Sequence, residues 1–207
     1  MFEPYINLTF EEGYKGILEL ALNKEKVENK NLSILFMLSE KELINVFLEN
    51  FGGFSKSNLG FIEKKINKSL FDNNRDYVSD LIDFSIFKGL YLDYNIILDL
   101  VKQKNEDEHF VILSALQYLS ENIKYYYIEE IFECMESIVD SKHKDNLKIL
   151  SLLILYKISH LDIYLNRIEK MLFNEDNVVY FTNRIKNYDF EEQFFNNEKL
   201  LSIIEKL

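Results

Sequence analysis

Residues 112–119 read ILSALQYL and residues 149–156 read ILSLLILY. The two stretches share Ile-Leu-Ser and then a leucine, Leu116 against Leu153, at an offset of 37 residues. Carried forward, the same offset sets Tyr127 on Tyr164, Ile128 on Leu165, Ile131 on Ile168 and Met135 on Leu172. Both halves of a two-helix unit therefore repeat. A single helix pair is too thin to bury its own apolar face and must stack on a neighbour.

Around this repeat the apolar residues recur with helical spacing. The pattern predicts helices over about 107–122, 125–140, 145–160, 162–173, 176–188 and 195–206. Short polar separators lie between them, such as Ser141-Lys142-His143-Lys144 and Asn174-Glu175-Asp176. Links this short make successive helices antiparallel neighbours. Upstream, Thr9 with Glu12 and Ser39 with Glu42 form capping boxes that open helices. A further helix spans about 57–70. Asp76 opens the next, Gly89 stops it, and Asp93 caps a stretch carrying Ile96, Ile97, Leu100 and Val101.

The reading is an all-α chain forming one helical domain over 1–207. Residues 1–104 make an irregular helical half and residues 105–207 a half of repeat-like pairs. The two-helix unit resembles HEAT or armadillo-type repeats, well over 107–173 and loosely over 176–206. That resemblance implies antiparallel helix pairs stacked as a short α-solenoid; an irregular helical bundle would give the same match over two units.

Composition agrees with a helical protein. One proline, six glycines and no tryptophan in 207 residues leave too few turn formers for a many-stranded β fold. The single cysteine, Cys134, excludes an internal disulfide and a thiolate metal cluster; beside Met135 in an apolar stripe, it reads as a core thiol. The first residues, MFEPYINLTFEEG, lack the basic start and apolar run of a signal peptide. No apolar run is long enough to span a bilayer. The expected setting is the cytoplasm.

Charge carries the most functional information. Lys and Arg total 24 against 35 Asp and Glu, a net −11. Lysines gather at Lys56, Lys64, Lys65 and Lys68, and at Lys142, Lys144 and Lys148, but the chain has only three arginines. An acidic chain of this kind is not expected to bind nucleic acid, and none of its helices pairs a basic with an apolar face for a membrane surface.

Residues 105–140 hold nine acidic residues and one base, Lys124, a balance of −8. Glu129, Glu133, Glu136 and Asp140 stand at i, i+4, i+7 and i+11, on one helical face, with Glu130 beside them. Like charges stacked this way cost a few tenths of a kcal/mol per pair, so the stripe invites a cationic partner. Tyr125, Tyr126 and Tyr127 begin the same helix, and exposed tyrosines beside carboxylates suit a binding hot spot. The candidate partner-binding residues are Tyr125, Tyr126, Glu129, Glu130, Glu133, Glu136 and Asp140. The competing reading is a solvated face that keeps the protein soluble.

Other motifs give little chemistry. Asp72, Asn74, Asp76, Asp80 and Asp83 have EF-hand offsets, but Tyr77 stands where the loop needs glycine. Glu106 with His109 and Asp140 with His143 fall at segment ends, where a di-iron site would need helix interiors. Zincin, P-loop, dinucleotide and nucleophile-elbow strings do not occur. No cofactor or metal is expected.

Small acidic chains without catalytic motifs resemble, by general type, bacterial immunity proteins. That resemblance implies a non-enzymatic inhibitor of a basic toxin such as a nuclease, with Glu129, Glu130, Glu133, Glu136 and Tyr126 blocking the phosphate route. An adaptor or scaffold, or an enzyme with a dispersed carboxylate and histidine site, are the alternatives.

Overall fold

A computed structural model describes residues 56–71, 78–102, 108–123, 127–187 and 197–207, and every regular element among them is a helix. They are α1 (Lys56–Phe71), α2 (Val78–Lys88), α3 (Tyr94–Lys102), α4 (His109–Glu121), α5 (Ile128–Val139), α6 (Asp145–Ser159), α7 (Asp162–Met171), α8 (Glu175–Asn187) and α9 (Glu198–Glu205). The predicted boundaries agree to within about three residues. The capping boxes at Thr9 and Ser39 and the Asp72–Asp76 loop lie outside the described residues. The chain divides into two compact units, residues 1–97 and 98–207.

In the first unit α2 packs on α1, burying Val78, Leu81, Ile82 and Phe84 along α2, and Ile62, Ile66 and Leu70 along α1. Gly89 ends α2 as its sequence predicts. Its φ of 63° is left-handed; its N–H bonds the Ile86 carbonyl at 3.1 Å and the Leu90 N–H bonds Ser85 O at 2.8 Å. Those are the two bonds of a Schellman stop. Asp93 then caps α3, its carboxylate accepting from Asn95 N–H at 3.0 Å. Between these signals the chain is tied to α1: Asn67 donates to Tyr91 O at 2.9 Å and accepts from Asp93 N–H at 2.6 Å, while Glu63 accepts from Tyr91 N–H at 2.9 Å.

The second unit is organised around α6. Residues 149–156 are buried without a break, more than two turns of helix with no solvent face. Helices α4, α5, α7 and α8 pack around it, and α9 packs on α7. The end of α6 is His160, left-handed at φ 55°, with its N–H on Tyr156 O at 2.8 Å; histidine is among the few side chains enriched in that conformation.

Polar ties join the helices at the 37-residue step found in the sequence. Asn146 donates to His109 Nε2 at 3.2 Å, Lys157 to Ser120 O at 2.9 Å, and Lys206 to Glu169 at 2.6 Å. Each pair is separated by 37 residues. Two more cross-ties fix α8: Asn177 donates to Asp145 at 2.9 Å and to Met171 O at 2.8 Å, and Arg184 reaches Gln117 at 3.1 Å.

Candidate interaction face

Helix α5 divides its side chains cleanly. Ile131, Cys134, Met135, Ile138 and Val139 are buried, on the side where α5 meets α6. Phe132 is half-buried and lies edge-to-face on Tyr164 of α7, ring centroids 6.0 Å apart. Glu129, Glu130, Glu133 and Ser137 are exposed. Two of these glutamates occupy the first turn, where the positive end of the helix dipole favours carboxylates by about 0.3–1 kcal/mol each. Glu133, one turn further on, gains little from that end.

The acidic stripe expected from the sequence does not stay whole. Its C-terminal half is neutralised inside the protein by Arg167 of α7. The guanidinium places Nη1 3.3 Å from Glu136 and Nη2 2.9 Å from Asp140. The Tyr164 hydroxyl donates to the other Glu136 oxygen at 3.1 Å. Burial pushes the Tyr164 phenol above its ordinary value, and its bond to the Glu136 carboxylate adds to that. Glu136 and Asp140 thus act first as an α5–α7 clasp. Glu129, Glu130 and Glu133 make no ion pair with any described residue. Tyr125 and Tyr126 lie outside the described residues; Tyr127 is half-buried and holds the N-cap position of α5.

Behind the ridge, Cys134 is buried and borders a cleft of about 110 Å³ with Val101, Lys102, Ser137, Ile138, Ser141 and His143. Ligand pockets run to about 300–1,000 Å³, so this cleft is too small to hold one. Burial raises the Cys134 thiol, Lys102 acts the other way, and Glu133, Asp99 and Glu130 add to the rise. The thiol is therefore protonated and unreactive, as suits a core position.

The histidine motifs are drawn into structure as well. The ring of His109 accepts from Asn146, and burial, with Lys144 and His143 nearby, lowers its affinity for a proton. Asp140, the acid of the other pair, is engaged by Arg167. Among the described residues no three His, Cys, Asp or Glu side chains are grouped to hold a metal ion, and no helix is long and apolar enough to cross a membrane.

Sequence reasoning missed Arg167. Its partners are 31 and 27 residues away, and the usable signal was its rarity: one of three arginines in a lysine-rich chain, a residue whose planar fork suits two carboxylates at once. No known protein family, curated protein or solved structure matches this chain.

Proposed function

We propose that this chain is a non-enzymatic docking module that binds a basic protein through Glu129, Glu130 and Glu133 of α5, in the manner of an acidic inhibitor that neutralises a cationic toxin. The observation that carries the reading is the exposure of these three carboxylates without a cation partner among the described residues, one turn from a clasp that neutralises their neighbours. The ridge stands on a helix whose opposite side is buried, so it is presented rigidly and loses little side-chain scaffold freedom on binding. Contacts of this exposed kind give about 0.2–1 kcal/mol each. Their larger effect is on encounter rate and partner choice, which falls with salt.

The same reading takes α4–α9 as a short solenoid of helix pairs. Support comes from the polar ties at the 37-residue step and from the placement of α4 and α8 on the same central helix. The natural test is affinity capture from the source cell at low and high salt, comparing the native chain with Glu129→Lys/Glu130→Lys/Glu133→Lys. A basic protein held by the native chain, released by salt and lost in the triple variant is the expected result. Equal retention by the triple variant, or capture insensitive to salt, removes the proposal.

A further inference from the structure

We propose that α9 is a latch: it docks on and leaves the second unit as one piece, with Glu169 of α7 as its catch. This inference is independent of the docking role of α5. It begins with length. Eight residues are too few for a helix to persist alone in water, since isolated helices shorter than about 12–15 residues are marginal. The helix therefore exists only while docked, and docking and folding of α9 are a single event.

The hold on α9 is one-sided. Only Leu200 and Ile203 are buried along it, while Leu201, Ile204 and the following Leu207 stay exposed at 40%, 37% and 49%. Most of its polar ties to other described helices end on α7, and Asn197 also bonds the Tyr156 hydroxyl of α6. At its start, the Asn197 amide reaches Asp162 at 3.3 Å. Farther along, Lys199 and Lys206 converge on the two oxygens of Glu169. These ties hold the Glu169 carboxyl well below the usual range, to about 2.

On the other side the described residues form no such seam. A groove of about 670 Å³ separates α9 from α8, lined by Val178, Phe181, Thr182 and Ile185 on one wall and Leu201, Ile204 and Leu207 on the other. Glu169, the Asn197 side chain and two buried aliphatic residues thus hold α9 in place. By contrast α6, with eight consecutive buried residues, opens only when the whole unit does.

Amide hydrogen exchange on the full-length protein tests this directly. In the native chain, amides of 201–205 are expected to exchange through an opening that leaves α6 protected. Glu169→Gln should speed that exchange about three- to tenfold, the range two partly exposed ion pairs supply, without changing α6. Salt near 1 M should speed the native chain but not the variant. Lys199→Gln/Lys206→Gln, which leaves Glu169 in place, should reproduce the effect. Exchange of α9 and α6 in step, equal acceleration of both helices by Glu169→Gln, or no acceleration of α9 in either variant would overturn the latch.

Discussion

Replacing Arg167 by methionine keeps the apolar stem of the side chain and removes its charge, so it isolates the clasp between α5 and α7. Its bond to Asp140 reaches a carboxylate that is 70% exposed, which places that pair near the low end of about 0.2–1 kcal/mol. The Glu136 carboxylate is only 33% exposed and is completed by the Tyr164 hydroxyl, so that pair belongs near the high end. Once the guanidinium is gone, Glu136 and Asp140 face each other four residues apart on one helix, a repulsion of a few tenths of a kcal/mol. Together these give a loss of about 1–2 kcal/mol. Urea unfolding followed by helicity should show a lower midpoint at unchanged slope.

A double-mutant cycle with Glu136→Gln should return a coupling of about 0.5–1 kcal/mol, shrinking near 1 M salt where the screening length falls to about 3 Å. Arg167→Met alone raises the number of carboxylates on this face without a cation partner among the described residues from three to five, so a basic partner should associate faster with that variant even as the fold weakens. A coupling indistinguishable from zero, with stability unchanged, would show that the clasp contributes nothing and refute this reasoning.

Two further outcomes follow from single polar groups. Ser151 is fully buried and its hydroxyl finds no partner among the described residues, whereas the buried Ser85 hydroxyl donates to Leu81 O at 2.7 Å; Ser151→Ala should therefore raise the urea midpoint by the equivalent of about 1–2 kcal/mol, while Ser85→Ala should give no such gain. For His109, whose proton affinity is lowered in the fold by burial first and then by Lys144 and His143, the unfolded chain binds more protons below about pH 6.5. Stability is then complete above that pH, declines as pH falls toward the lowered native value and levels off beneath it; His109→Asn should flatten this part of the profile in urea midpoints measured between about pH 5 and 7.5.

Local signals were the legible ones. Gly89 and Asp93 announce their helix ends because a left-handed stop and a side-chain cap are written within a few residues. The segment 149–156 is apolar but for Ser151 and the Tyr156 hydroxyl, a pattern unsuited to a surface helix, and it forms the buried centre of its unit. The offset of 37 was visible in Ile-Leu-Ser and returns in the spacing of three hydrogen bonds. Contacts between distant helices were not legible in this way. The period that gathers Glu129, Glu133, Glu136 and Asp140 on one face is correct for α5 in isolation, but only the approach of α7 decides which of them meet Arg167. The unpaired hydroxyl of Ser151 was equally hidden, because Ser151 and Ser85 differ in local geometry and not in residue type.

The enclosure of α6 has a consequence for biosynthesis. On the ribosome its eight consecutive sheltered residues emerge before α7 and α8 exist to cover them, and such exposed segments are where nascent chains stick to one another. Truncation after residue 160 would freeze that stage, leaving a fragment that depends on a chaperone to stay dispersed. Helices α7 and α8 thus serve as the cover that keeps α6 from such contacts.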